Sequence, residues 1–143
     1  TETYIMGMHT TEANFDVAKR ENSVILMEEG NKEVYEGFDP KSPESYILFS
    51  LYQSAHLENS LRLAGKIEDQ FKERVKRNSR GVRQAGFWVL YRTAMPSVLV
   101  ETGYLSNRNE ENYLNDPYGQ SLIASGLYRA FRDYKEEIES SVN

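Results

Sequence analysis

The sequence predicts an α/β domain with a mixed β-sheet flanked by helices, and three observations lead to that prediction. Short apolar or β-favouring runs are interleaved with long stretches of helical periodicity. Proline follows a capping residue at two sites, Ser42-Pro43 and Asp116-Pro117, as is typical of helix starts. The length of 143 residues and the hydrophobic content of 39% fit one domain with its own core.

Composition excludes several classes of function. The chain contains no cysteine, so thiol catalysis, disulfide bonds and cysteine-ligated metal are ruled out. Net charge is −5, and the densest basic stretch, Lys72 to Arg83, is interrupted by Glu73, so no nucleic-acid partner is expected. No apolar run approaches the ~20 residues that a transmembrane helix needs, so no transmembrane segment is expected.

The first half of the chain is predicted to contain one strand and two helices. Residues 3–8 are short and β-favouring, and a helix follows over residues 12–29 until a glycine stops it. Ser42-Pro43-Glu44 then starts a long helix that extends to about Lys76. Residues 46–52 are apolar nearly all round, so this part could be buried on several sides or could pack as a separate piece ahead of the main helix. The apolar positions of this long helix recur every three or four residues and are Leu57, Leu61, Ala64, Ile67, Phe71 and Val75.

The second half is predicted to contain two strands and two helices. Residues 87–91 and 98–100 are apolar and fit buried strands, and the linker between them is too short for a helical crossover. These two strands are therefore expected to be antiparallel or not to be neighbours. Asn107-x-x-Glu110 resembles a capping box for a short helix, and Asp116-Pro117 starts the last helix.

The chain is expected to be an incomplete half of a larger domain, with all of residues 1–143 belonging to that one domain. Residues 1–6 (TETYIM) begin directly in a strand-like run and lack the charged and apolar regions of a signal peptide. Three strands are also few for a chain with so much amphipathic helix. Further sheet, and any targeting signal, are therefore expected upstream.

Glu101 is the first candidate for a catalytic residue, because it follows the buried run Val98–Val100 at the end of a strand. Strand ends in α/β sheets border the clefts where ligands bind. Partial burial raises the pKa of a carboxyl group, which suits proton transfer near neutral pH. The alternative is a surface glutamate, or one that is paired with an arginine such as Arg83 or Arg92.

Two segments resemble a known family. Residues 80–92 read RGVRQAGFWVLYR and residues 95–107 read MPSVLVETGYLSN, with an acidic helix start at residues 109–111. Together they closely resemble the C-terminal half of the zinc-dependent N-acetylmuramoyl-L-alanine amidases. The resemblance is strongest over residues 80–115 and looser over residues 1–30, where ETY and VAKRENS are similar to the family's strand and following helix.

The resemblance implies a hydrolase that cuts the amide bond between N-acetylmuramic acid and the L-alanine of the peptidoglycan stem peptide. Glu101 matches the family's catalytic glutamate, which lies beside the zinc site. Zinc polarises the amide carbonyl and lowers the pKa of its bound water. The resemblance therefore implies that Glu101 acts as a general acid and base for that water and for the leaving amine.

The family's zinc ligands are two histidines and a glutamate, and all lie upstream of the matched region. This chain has His9 and His56, and neither lies in a ligand motif of the family or in a pair with metal-binding spacing. We therefore expect no metal ligand in this chain. Zinc is expected in the complete enzyme and not in this fragment, which should be inactive alone.

Arg83, Gln84 and Asn107 are further candidates, as contacts to the stem peptide or glycan. Arg83 and Gln84 precede the strand predicted at residues 87–91, near where the family's cleft would lie, although a surface arginine and glutamine explain them equally well. Asn107 could line the cleft, although helix capping alone explains it.

The stretch 33–52 is aromatic and apolar, and it precedes the main helix. Some members of the family block their own cleft with a helix in this neighbourhood until an activator protein moves it, and this insert resembles such a helix in position. Plain packing against the rest of the domain is the favoured alternative.

The sequence therefore predicts the C-terminal part of a zinc amidase that hydrolyses peptidoglycan in the cell envelope, either in the periplasm or after secretion. The rival interpretation is a non-catalytic α/β binding or regulatory module in which Glu101 is a structural ion-pair partner. Upstream sequence separates the two, because an Asp-Ala-Gly-His-Gly-like string and a Ser-Ile-His-like string would support the enzyme.

Overall fold

The computed structural model describes residues 1–7, 12–30, 33, 35, 38–42, 44–47, 54–91 and 93–141. Within these residues, a three-stranded mixed sheet carries helices on both faces. This arrangement confirms the predicted α/β class. No helix in the described ranges is long and apolar enough to cross a membrane.

The sheet centres on β1, Glu2–Met6, which confirms the first predicted strand. β1 pairs in parallel with β2, Val82–Ala85, and in antiparallel fashion with β3, Val98–Glu101. The order β2-β1-β3 means that β2 and β3 are not neighbours. All five residues of β1 are buried, because strands lie on both its sides and helices on both its faces.

The two longest described helices between β1 and β2 are 11 and 17 residues long. α1 spans Glu12–Asn22 and continues as a 3₁₀ turn over Ser23–Met27, so the predicted helix is regular only in its first part. The side-chain amide of Asn22 bonds backbone groups just after β2, which ties the end of α1 to the sheet. Residues 44–47 are helical, as the start at Ser42-Pro43-Glu44 predicts, and residues 48–53 lie outside the described part. α2 spans Leu57–Glu73 and follows a 3₁₀ turn at Ser54–His56, so the predicted long helix is not continuous.

The strand predicted at residues 87–91 is wrong, because Trp88–Tyr91 forms a short helix, α3. The strand of this region lies just before it, in β2. Phe87 and Leu90 are buried while Val89 is exposed, and this three-residue spacing fits a helical turn. The periodicity of so short an apolar run does not distinguish a buried strand from a buried helix.

The two helices after β3 begin where their capping residues predict. α4 spans Arg108–Asn115, and the side chain of Asn107 accepts hydrogen bonds from two backbone N–H groups of its first turn at 3.0 and 3.3 Å. The carboxylate of Glu110 does not complete the capping box, because it forms an ion pair elsewhere. α5 spans Pro117–Ser140, and Asp116 accepts from one backbone N–H at 2.9 Å.

An apolar cluster lies on each face of the sheet. On the face that carries α1, called the α1 face, Tyr4 and Met6 of β1 pack against α1 and α3. On the opposite face, called the α2 face, α2 and α5 pack together around Phe71. Because side chains alternate along a strand, Glu2 and its β3 partner Glu101 share the α1 face with Tyr4. The α1 face therefore holds the first candidate catalytic residue.

The described part of the 33–52 insert packs against the body of the protein. Tyr46 is buried, and its hydroxyl donates to the carbonyl oxygen of Pro40 at 2.8 Å. The ring of Phe38 lies 5.6 Å from that of Tyr46 and 5.0 Å from that of Trp88, between centroids. These contacts fit the packing alternative. Because residues 34, 36, 37, 43 and 48–52 lie outside the described part, the lid stays a prediction.

Candidate active site

Glu101 is the last residue of β3 and lies half-buried. Its antiparallel partner on β1 is Glu2, so the two side chains project from the same face with Cβ atoms ~5 Å apart, the usual cross-strand spacing. Arg83 pairs with Glu2 and not with Glu101, and Arg92 lies outside the described residues. No lysine or arginine in the described part of the chain forms an ion pair with Glu101.

Glu101 borders a cavity of about 290 Å³. The wall of this cavity combines carboxylates, guanidinium groups and phenols with one aliphatic side chain. Its lining residues are Glu2, Tyr4, Val17, Arg20, Glu21, Arg80, Glu101 and Tyr104. Charged and hydrogen-bonding groups thus converge around the Glu101 carboxyl, as the binding of a polar substrate requires.

Glu2 is buried, with 5% of its surface exposed, and both of its carboxylate oxygens have partners. Arg83 Nε lies 2.8 Å from Glu2 Oε2, and the hydroxyl of Tyr104 donates to Glu2 Oε1. Arg83 Nη1 also donates to Asn14 Oδ1 at 3.4 Å. A carboxylate that is removed from water needs such partners, because its desolvation is otherwise too costly. Glu2 therefore connects β1, β2 and the loop after β3.

Tyr104 connects Glu2 to the rim of the cavity. The guanidinium of Arg80 lies over the Tyr104 ring, 4.8 Å from its centroid, and Nη1 donates to the hydroxyl at 3.4 Å. The backbone N–H of Tyr104 donates to Glu110 Oε2 at 2.8 Å, and Arg77 Nη2 lies 3.2 Å from the same oxygen. These contacts fix the loop after β3 relative to β1 and α4.

The pKa of the Glu101 carboxyl is raised above its usual value, first by burial and then by the carboxylates of Glu21 and Glu2. Arg20 acts in the opposite direction and lowers that pKa by a smaller amount. Burial, followed by the charge of Glu2, raises the pKa of Tyr4 to about 12. Tyr4 is therefore a neutral phenol at physiological pH, whereas the raised pKa of Glu101 favours its protonated form more than that of an exposed glutamate.

Of the three predicted substrate contacts, Arg83 joins the Glu101 region, through its ion pair with Glu2. Because side chains alternate along a strand, the side chain of Gln84 projects from the α2 face of the sheet, away from Glu101. Asn107 is exposed and caps α4. None of these three residues lines the 290 Å³ cavity. Their roles as substrate contacts stay predictions.

The residues that the structure describes do not make a zinc site. Within them, no group of three or more histidine, aspartate or glutamate side chains is arranged to hold a metal ion. His56 is half-buried and precedes α2, which packs on the sheet face opposite Glu101, and His9 lies outside the described residues. Glu2 and Glu101 alone do not fit a catalytic zinc, which takes three protein ligands, usually including histidine.

Glu2 and Tyr104 belong to this site but are not among the sequence-predicted site residues. A signal exists for each: Glu2 is a charged residue in a strand that is otherwise apolar or small, and Tyr104 follows Glu101 within the same matched segment. The register that sets Glu2 opposite Glu101 is a long-range feature of the fold and leaves no local pattern in the sequence.

One family of known proteins matches most of the chain. A family model described as N-acetylmuramoyl-L-alanine amidase matches residues 3–133. The N-acetylmuramoyl-L-alanine amidase AmiA of Escherichia coli K12 is 36% identical over 88 residues, covering 62% of this chain and 30% of AmiA. LytC of Bacillus subtilis, which carries the same enzyme name, is 33% identical over 89 residues, which cover 62% of this chain and 17% of LytC. The probable cell wall amidase LytH of Staphylococcus saprophyticus is 28% identical over 80 residues, which cover 56% of this chain and 28% of LytH. The chain thus spans less than a third of the length of each of these relatives.

Proposed function

The chain belongs to the N-acetylmuramoyl-L-alanine amidase family, and we propose that it contributes the catalytic carboxyl of a peptidoglycan hydrolase. The bond cleaved is the amide between N-acetylmuramic acid and the L-alanine of the stem peptide. The family match over residues 3–133 and the names of AmiA and LytC support this reaction. Glu101 is proposed as the residue that transfers protons.

One observation carries the role proposed for Glu101. It is a half-buried carboxyl that borders a cavity and forms no ion pair with any described residue. A glutamate with a purely structural role at such a position would be held by a cation or by hydrogen-bond donors, as Glu68 is held by the hydroxyls of Thr3 and Ser79, and no described side chain holds Glu101 in either way. The raised pKa of Glu101 further supports a role in proton exchange.

Amide hydrolysis requires one proton to leave the attacking water and one proton to reach the leaving nitrogen. Ionised Glu101 accepts the first proton as the water oxygen bonds to the carbonyl carbon. Protonated Glu101 then donates a proton to the nitrogen as the C–N bond breaks. The products are a lactyl carboxylate on muramic acid and a free amine on L-alanine, so one carboxyl serves as both base and acid.

We propose that zinc belongs to the complete enzyme and is held there by residues outside this chain. The family resemblance implies a zinc ion that polarises the scissile carbonyl, whereas the described residues offer no site for it. The 143-residue chain alone is therefore expected to be inactive and to bind no stoichiometric zinc. Elemental analysis of the purified chain checks this, and one zinc ion per chain would contradict it.

The reaction is tested with the complete enzyme, meaning a protein that joins this chain to its zinc-binding residues, acting on purified peptidoglycan. Mass spectrometry should find stem peptides with a free L-alanine amine, and glycan strands that keep the lactyl group. A chelator should stop the release and added zinc should restore it. Cleavage between sugars, or within the peptide, would contradict the proposed bond.

A cell-envelope location and a regulatory partner complete the proposal. The relative LytH is named a probable cell wall amidase, and the proposed substrate lies in the envelope, which supports a periplasmic or secreted enzyme. The 33–52 insert is proposed to cover the cleft until an activator protein displaces it. Tyr35 is the residue to change, because it is half-buried, with its ring centroid 5.1 Å from that of Trp88.

Tyr35→Ala should raise the basal rate of stem-peptide release by the complete enzyme, because the loss of the ring contact loosens the insert. Tyr46→Ala is the control: Tyr46 is buried, so its truncation should destabilise the fold by about 3 kcal/mol instead of activating the enzyme. An unchanged basal rate in folded Tyr35→Ala would argue for plain packing of the insert.

A further inference from the structure

Two carboxyl groups lie side by side where strands of the sheet border the cavity. Glu2 and Glu101 are register partners on neighbouring strands, and both line the 290 Å³ cavity. Like charges directly opposite each other destabilise a sheet, and the burial of Glu2 adds to that cost. An arrangement that lowers stability and borders a cavity points to a functional role for both groups.

The two carboxyl groups differ in their partners. Glu2 has Arg83 Nε at 2.8 Å from one oxygen and the Tyr104 hydroxyl on the other. Glu101 forms no ion pair among the described residues. Neighbouring carboxyl groups with such different surroundings can take different roles. Glu2 is the member of the pair that is held in place at both oxygens.

We propose that Glu2 is a positioning residue for the reaction, a fixed carboxylate whose charge favours a proton on Glu101. This inference rests on the function proposed for Glu101. Because both oxygens of Glu2 are engaged by Arg83 and Tyr104, Glu2 acts through Glu101 and does not need to touch the substrate. Its charge keeps the neighbouring carboxyl ready to donate a proton to the leaving nitrogen.

Other charged or titratable groups face Glu101 from every element around the cavity. α1 contributes Glu21, which raises the pKa of Glu101, and Arg20, which lowers it. These two side chains are largely exposed and lie 3.4 Å apart, so solvent and their mutual pairing weaken their effect. The remaining groups on the cavity wall are Tyr4, Arg80 and Tyr104. Glu2 differs from the α1 charges because it is buried and fixed.

Two variants of the complete enzyme should shift the pKa of Glu101 in opposite directions. Glu2→Gln removes the neighbouring charge while keeping the shape and an acceptor for Tyr104, so the pKa of Glu101 should fall. Arg83→Gln leaves Glu2 without its cation, so the pKa of Glu101 should rise. The opposite sign of the second variant keeps the test valid even where the first one folds poorly.

Two measurements report the pKa of Glu101. The first is the acid limb of the kcat/KM profile against pH, because Glu101 must lose a proton before it can act as a base. The second is titration of the Glu101 side-chain carboxyl by carbon-13 NMR in the metal-free complete enzyme, which gives the pKa without turnover. Glu68→Gln is the matched control, because Glu68 is also 5% exposed and contacts β1, but from the α2 face. This control should move neither readout.

Opposite shifts for Glu2→Gln and Arg83→Gln, with none for Glu68→Gln, support the inference. An unshifted profile and titration in folded Glu2→Gln would overturn it while leaving the role of Glu101 intact. Glu101→Gln belongs in the same series as a separate check: wild-type turnover in that variant would overturn the proposed function, and this inference with it.

Discussion

Two buried glutamates lie on opposite faces of the sheet at β1, and the comparison between them separates a carboxylate with a structural role from one that we propose acts in the reaction. Glu68 of α2 accepts hydrogen bonds from the hydroxyls of Thr3 and Ser79, each at 2.6 Å. Glu2, on the α1 face, is held by an arginine and a tyrosine. Both are 5% exposed, so burial does not distinguish them.

The groups beside each carboxylate make the difference. Glu2 lies opposite Glu101, and both line the same cavity. Glu68 lies among hydroxyl donors, and one of them, Ser79, also accepts the backbone N–H of Gly81 at 3.1 Å, which orders the approach to β2. Glu68 does not line this cavity, whereas Glu2 has beside it both a space for substrate and a carboxyl that forms no ion pair with a described residue.

The largest effect on stability is expected from Phe71→Ala, on the α2 face. Phe71 is 0% exposed between α2 and α5, so its truncation leaves a cavity and should lower the free energy of unfolding by about 3 to 5 kcal/mol. Urea-induced unfolding measures this change. Leu61→Ala on the same helix is the control, because Leu61 is 47% exposed and its truncation should cost less than about 1 kcal/mol. Equal losses of unfolding free energy in the two variants would mean that the helix face that carries Phe71 does not pack against the rest of the protein.

Glu68→Ala should have the next largest effect. It leaves the buried hydroxyl of Thr3 and the half-buried hydroxyl of Ser79 without their acceptor, at a cost of about 1 to 3 kcal/mol of unfolding free energy. Turnover per folded molecule should stay at the wild-type value. A loss of turnover in the folded variant would break the comparison, because it would extend the active site to the α2 face.

The smallest effect on stability is expected from Glu101→Gln, and its sign is opposite to that of Glu68→Ala. The pKa of Glu101 is raised in the folded protein, so its contribution to stability is lost as pH rises from the usual glutamate range through the raised value. Glutamine does not ionise, so the variant should be slightly more stable than wild type at neutral pH. Urea midpoints near pH 7 and near pH 3 check this, since the difference should vanish at the lower pH. A variant that is less stable at neutral pH would show that ionised Glu101 stabilises the fold.

Local sequence patterns predicted those elements that local chemistry determines. β1 and β3 are short apolar or β-favouring runs, and the helices after Asn107 and Asp116 begin at residues whose side chains accept backbone N–H groups. The prediction failed at residues 87–91, because that run is apolar throughout and tertiary packing determines whether it forms a strand or a helix.

The candidate site was predictable in part. Glu101 follows from its position at a strand end and from the motif around it. Glu2, Arg83 and Tyr104 come together through strand pairing between distant segments, and no local periodicity carries that information. The predicted zinc ligands are residues outside this chain, so zinc binding by the complete enzyme stays a prediction.

The most direct test of the account compares Glu101→Gln with Glu68→Gln in one assay of stem-peptide release by the complete enzyme. The kcat of Glu101→Gln should fall about 10²- to 10⁴-fold, with the zinc content retained and the unfolding midpoint not lowered. Glu68→Gln should keep the wild-type kcat. A wild-type kcat in Glu101→Gln would contradict the account and favour a non-catalytic module of the cell envelope.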